Sequence, residues 1–96
     1  MRMESTRDAC KEDVLKRLNR IEGQVKGIHR MVEEDKGCVE VLTQIAAVKA
    51  AINKVGGIIL ENHSRSCVQN ALQSQNKEQV MEELISTIQK FLKYTE

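Results

Sequence analysis

At 96 residues the chain is one small domain, and with one Phe, one Tyr and no Trp any core it builds is aliphatic. Proline is absent, glycine occurs five times, and a formal net charge of +1 says nothing by itself about partners; its distribution says more. Three cysteines argue against a disulfide framework, and no apolar run reaches signal-peptide or membrane-spanning length, so a soluble, cytoplasmic protein with no membrane partner is expected.

The chain reads as all-α, a single domain over 1–96 whose first seven residues, MRMESTR, have no period and are expected to form a flexible arm. Helix 1 is expected over about 8–35, with Asp8 as N-cap and a seam of Val14, Leu18, Ile21, Val25, Ile28 and Val32 alternating steps of four and three. Lys36-Gly37 ends it, with the glycine free to take the left-handed C-terminal conformation. Helix 2 is expected over 38–73 on the heptad seam Cys38, Val41, Ile45, Val48, Ile52, Val55 and Ile59, so it pairs with another helix along its length. Its weak point is Gly56-Gly57, each glycine costing about 1 kcal/mol in a helix interior. The seam resumes on register at Ile59, which favours a continuous helix. Ser74-Gln75-Asn76 forms the second turn, and Asn76 with Gln79 reads as a capping box. Helix 3 follows over 77–93, burying Val80, Met81, Leu84, Ile85, Ile88, Phe91 and Leu92. A chain this short buries a modest share of its surface, so self-association is a natural source of further burial.

His63 and Cys67 stand four residues apart at the end of helix 2, so their side chains leave one face from adjacent turns. A thiolate and an imidazole aimed together are half of a metal site. Cys38 is the natural third donor, yet 25 positions at ~1.5 Å per residue put it roughly 37 Å from His63 along one helix. Two copies of the helix packed antiparallel remove the difficulty, because Cys38 of each then lies opposite the His63/Cys67 end of the other. The two-fold axis falls near Ala51 and Ile52, among Ala46, Ala47 and Ala50, whose small side chains let two backbones approach. The expectation is a symmetric dimer with two identical sites shared between chains.

Taken singly, Cys38 is an ordinary core thiol, His63 an ordinary helix-surface histidine and Cys67 unremarkable; their convergence is what points to chemistry. Two thiolates and one imidazole form a soft three-donor set suited to Cu(I), whereas structural zinc wants a fourth ligand. Cys10 and His29 read as a surface thiol and a solvent-facing histidine. Two other readings stay open on the residues alone. One is sulfur chemistry, with Cys38 and Cys67 bridged across the dimer after persulfidation. The other is a ligand-free helical interaction protein. An enzyme is not expected: the chain has no nucleophile-base-orienter set and no Gly-rich phosphate loop.

Charge is concentrated on helix 1, where Lys16, Arg17, Arg20, Lys26 and Arg30 face one acid, Glu22. Arg17, Arg20 and Gln24 share one side at helical spacing, and Lys49 and Lys54 add cations on helix 2. The bland account is a solvated face. The functional one is a surface that tracks DNA phosphates, with Arg and Gln able to read base edges. No helix-turn-helix, zinc-finger or basic-zipper signature is present, so such a surface would be unconventional.

The stretch RLNRIEGQVKGIHRMVEEDKGCVEVLTQIAAVKAAI, followed by ENHSRSCV, resembles the copper-sensing operon repressor family, CsoR, within the wider CsoR/RcnR group. The resemblance runs from about residue 11 to 92. It implies a three-helix protomer, an antiparallel four-helix-bundle dimer and a dimer of dimers, that is, a homotetramer. It also implies a repressor that binds operator DNA when metal-free and releases it on binding Cu(I), switching on copper-resistance and efflux genes. On that resemblance the metal ligands are Cys38 of one protomer with His63 and Cys67 of another. Arg17 and Lys54 correspond to DNA-contacting positions, and Glu83 to a carboxylate that hydrogen-bonds the ligand histidine. Gly37 departs from the family's frequent Tyr at that position. The nickel/cobalt branch uses a histidine near the N-terminus, and here none precedes His29. The persulfide-sensing branch lacks the equivalent of His63, and the formaldehyde-sensing branch that of Cys67.

Overall fold

The computed structural model describes residues 6–73 and 75–95. Three helices account for nearly all of them: α1 (Thr6–Glu33), α2 (Cys38–Gln73) and α3 (Lys77–Thr95), with no strand among the described residues. The all-α reading and the extent of helix 2 hold. Helix 1 starts earlier than expected, at Thr6. Residues 1–5 of the expected arm and Ser74 of the second turn lie outside the described residues. Asn76 occupies the N-cap position of α3, its carbonyl accepting the Val80 N–H at 3.1 Å.

The α1–α2 turn closes differently from the sequence expectation. Lys36 N–H donates to Met31 O at 3.0 Å and Asp35 N–H to Val32 O at 3.1 Å, the paired bonds of a Schellman motif. The residue in the left-handed region is Asp35, at φ 55°, and no glycine in the described chain has positive φ. Aspartate tolerates that region better than most non-glycine residues, so the motif can settle two residues before Gly37. Gly37 is left to begin the next helix, its carbonyl accepting the Val41 N–H at 3.1 Å.

Running 36 residues without a break through Gly56-Gly57, α2 sets the 58 Å length of the molecule. The thinnest dimension is 13 Å, close to the diameter of a single helix, so the three helices lie side by side in one layer. Val14 and Ile21 of α1 pack on Val55 of α2, with Leu18, Val48, Ala51, Ile58 and Ile59 around them. Cys10 joins this cluster half-buried, so it is not the surface thiol the sequence led us to expect. Packing of α3 is on α2 alone; it makes no contact with α1 among the described residues.

A single layer gives each helix neighbours at its sides and none above or below. The buried apolar set is therefore short: Val14, Ile21, Val55, Ala71 and Leu84. Other members of the heptad seams stay open, Val32 at 58% and Ile45 and Ile52 at 45% exposure each. Cys38 likewise is exposed, not buried on its seam. The seams are correctly phased, but only part of each meets a neighbour within one chain.

Asp35→Gly should relieve the left-handed backbone and raise the thermal midpoint, whereas Asp35→Val should destabilise by about 1–2 kcal/mol. Melting curves followed by circular dichroism at matched concentration check this, and an unchanged midpoint for both variants would contradict it.

Candidate metal centre

The rigid turn of α2 holds two donors ready. Cys67 Sγ lies 3.5 Å from His63 Nε2, with both residues half-buried. Bond lengths of about 2.3 Å to a thiolate and about 2.0 Å to an imidazole nitrogen let one ion span donors up to about 4.3 Å apart. The pair fits a shared ion without rearrangement of the backbone. Cys38 begins the same helix at its far end, so no third donor joins them in one chain. Among the described residues no group of three or more His, Cys, Asp or Glu comes together within the protomer.

His63 also forms part of the wall of a cavity of about 340 Å³ between α2 and α3, with Gly56, Ile59, Leu60, Thr87 and Phe91. The Phe91 ring rests on the α2 backbone at Gly56. A Cβ placed there would lie 2.5 Å from Phe91 Cε1 and 2.7 Å from Cζ, so the close approach of the ring requires glycine. At Gly57 an added Cβ would meet nothing within 4 Å. The pair that reads as a weak point in sequence is thus half seat and half open surface. Glu83 is exposed on α3, one turn before Thr87, whose Oγ1 donates to the Glu83 carbonyl at 2.9 Å. The α3 side chains that border His63 in the cavity are Thr87 and Phe91. His29 is exposed, with Nδ1 3.0 Å from Glu33 Oε1, as its solvent-facing reading required.

On the basic face, Arg17 Nε donates to both carboxylate oxygens of Asp13, at 3.1 and 3.2 Å. Such an exposed i,i+4 pair contributes a few tenths of a kcal/mol, so it orients Arg17 more than it stabilises the helix. Arg20, Lys49 and Lys54 are exposed. Gln24 is half-buried, its Oε1 enclosed and without a hydrogen-bond partner. Sequence reasoning passed over Asp13 and Thr87, and took Gly56 only as a weak point and Phe91 only as a core residue. The i,i+4 spacing of Asp13 and Arg17 was a readable signal, while a glycine on the apolar side of a helix hints at a close neighbour but does not name it.

Residues 10–90 match the family of metal-sensitive transcriptional repressors. The chain belongs to that family. It is 47% identical over 83 residues to the copper-sensing transcriptional repressor CsoR of Bacillus subtilis (strain 168), a match covering 86% of this chain and 82% of that protein. Its fold superposes with a TM-score of 0.80, at 39% identity, on the copper-sensing repressor CsoR with Cu(I) from Geobacillus thermodenitrificans NG80-2, covering 96% of this chain and 94% of that one. The nickel-responsive transcriptional regulator InrS superposes with a TM-score of 0.77 at 36% identity, covering 95% of this chain and 97% of that one. One helical frame therefore serves regulators of different metals. Family members of this kind are repressors and not enzymes. No described helix is long and apolar enough to cross a membrane.

Gly56→Ala gains helix propensity of about 1 kcal/mol but drives a methyl into Phe91, and the net effect should be loss of stability. Adding Phe91→Leu should restore part of that loss, giving clear non-additivity in a double-mutant cycle by thermal unfolding. Additive effects would show that ring and glycine do not press on each other.

Proposed function

We propose that this repressor senses Cu(I) through two sites per dimer, each built from Cys38 of one chain with His63 and Cys67 of another. The observation that carries the reading is the Cys67–His63 pair at 3.5 Å, with the Cys38 thiol exposed at the far end of an unbroken helix and Cys10 packed into the α1–α2 cluster. Cys38, His63 and Cys67 would hold Cu(I) between chains, since two thiolates and one imidazole form a soft donor set suited to that ion. The similarity to nickel-responsive InrS raises nickel as the competing metal. Nickel(II) prefers tetragonal nitrogen and oxygen donors, and the chain's second histidine, His29, is exposed and paired with Glu33 on α1. A purely thiol-based sulfur switch through Cys38 and Cys67 has no use for the imidazole held against Cys67.

In the metal-free state a homodimer assembling to a homotetramer presents Arg17, Arg20, Gln24, Lys49 and Lys54 to operator DNA. Phosphate contacts by Arg17, Arg20, Lys49 and Lys54 supply salt-dependent affinity. Drawing Cys38 onto the His63 and Cys67 of the neighbouring chain fixes the relative placement of the two α2 helices. The basic surfaces then no longer match the spacing of the DNA. By linkage, operator binding weakens copper affinity by the factor by which copper weakens operator binding, roughly 5–150-fold for a coupling of this kind.

The test uses a DNA fragment selected for binding by the metal-free protein, followed by fluorescence anisotropy. Wild type should release it when reduced protein is loaded anaerobically with one Cu(I) per protomer, whereas Cys38→Ala should bind it equally well and not release it. Copper-driven release by Cys38→Ala would remove Cys38 from the site. Lys54→Ala should weaken operator binding and flatten its salt dependence, with copper stoichiometry unchanged; undiminished binding would take Lys54 out of the interface.

A further inference from the structure

The cavity between α2 and α3 lies one helical turn inward from His63, and its lining is apolar apart from the imidazole and Thr87. The Thr87 hydroxyl already donates to the Glu83 carbonyl, so the walls offer an occupant aliphatic and aromatic contact and little to orient a polar group. Small-molecule sites normally combine apolar walls with several convergent polar groups, and this lining better suits a side chain. One candidate side chain stands out on α2 itself. Leu42 is 62% exposed and lies one turn inward from Cys38, as the cavity lies one turn inward from His63.

At 3.6 residues per turn, Cys38, Leu42, Ile45, Gly56, Leu60, His63 and Cys67 fall within about 60° of one another around α2. A two-fold antiparallel pairing that sets Cys38 against position 65, midway between His63 and Cys67, sets Leu42 against position 61. That is the level of Leu60 and of Thr87 across the cavity. Resting on the intersubunit copper reading above, we propose that Leu42 of the partner subunit fills this cavity, a knob seated between α2 and α3 beside the metal ligands. Each dimer has two such knobs by symmetry. The knob closes the apolar side of His63 to water. It also gives the partner's α2 a grip on α3, so that movement of Cys38 toward its co-ligands is felt at the Phe91 seat.

The geometry is decided by crosslinking with a short bismaleimide. Within one protomer Leu42 lies 18 residues from Leu60, roughly 27 Å along α2, so a Leu42–Thr87 bridge can form only between chains. Two proteins are compared in the metal-free state after circular dichroism has shown each to be helical. One carries Cys10→Ser and retains Cys38 and Cys67. The other carries Leu42→Cys and Thr87→Cys with Cys10, Cys38 and Cys67 all changed to Ser, and each of the two new cysteines alone serves as its control. The expected result is a covalent dimer in both test proteins and none in the single-cysteine controls. A Cys38–Cys67 bridge without a Leu42–Thr87 bridge overturns the knob and leaves the antiparallel register intact. Absence of both overturns the register, and the shared copper site with it. As a second measurement, Leu42→Ala should weaken self-association of the metal-free protein tenfold or more in sedimentation equilibrium. Unchanged association would overturn the proposal even if the cysteine variants failed to fold.

Discussion

An uninterrupted α2 keeps Cys38 roughly 37 Å from His63, and the rest of the molecule is arranged around that separation. A chain folded back at Gly56-Gly57 could close a site on itself. This one does not fold back, because Gly56 is occupied as the seat of the Phe91 ring and the helix continues through it. The donors are consequently divided, two preorganised at one end and one exposed at the other. The proposed site, divided in this way, would report on the relation between two chains, which is what a metal-controlled repressor has to change.

The single-layer protomer makes the same demand from the side of stability. Among the described residues, five buried apolar side chains make a small core, and others such as Val32, Leu42 and Leu72 are more than half exposed. Burial is worth about 25 cal/mol per Å² of apolar surface, so these faces favour association strongly. The exposed apolar faces and the proposed metal site both call for a second copy. On the proposed reading, a small change at the ligands would act on the whole assembly, because the interface that completes the core would also carry the coupling.

The helices were readable from the sequence because heptad spacing is a property of local pattern, and α2 was placed from Cys38 to Gln73 by its seam and flanking polar turns. The His63–Cys67 pair was legible for the same reason, since four residues on a helix fix a face. What the pattern does not carry is the identity of neighbours. It did not reveal that Gly56 receives Phe91, that Cys10 tucks against Val14 and Val55, or that only part of each seam is buried within one chain. The α1–α2 turn was misassigned because glycine is the default left-handed residue, whereas here hydrogen bonds to Met31 and Val32 place that conformation on Asp35. Membership of the repressor family was legible in the motifs around Cys38, His63 and Cys67. The proposal of copper over nickel rests on donor softness.

The central claim, that one site takes donors from two chains, is tested most directly by subunit mixing. Cys38→Ala protein and His63→Ala/Cys67→Ala protein each lack every intact site, whereas a mixed dimer regains one: Cys38 from the second chain with His63 and Cys67 from the first. The account predicts that unfolding and refolding the two together restores tight anaerobic Cu(I) binding, with X-ray absorption giving two sulfurs and one nitrogen per bound ion. Binding by the mixture no stronger than by either parent, with mixed dimers demonstrably formed, would contradict it.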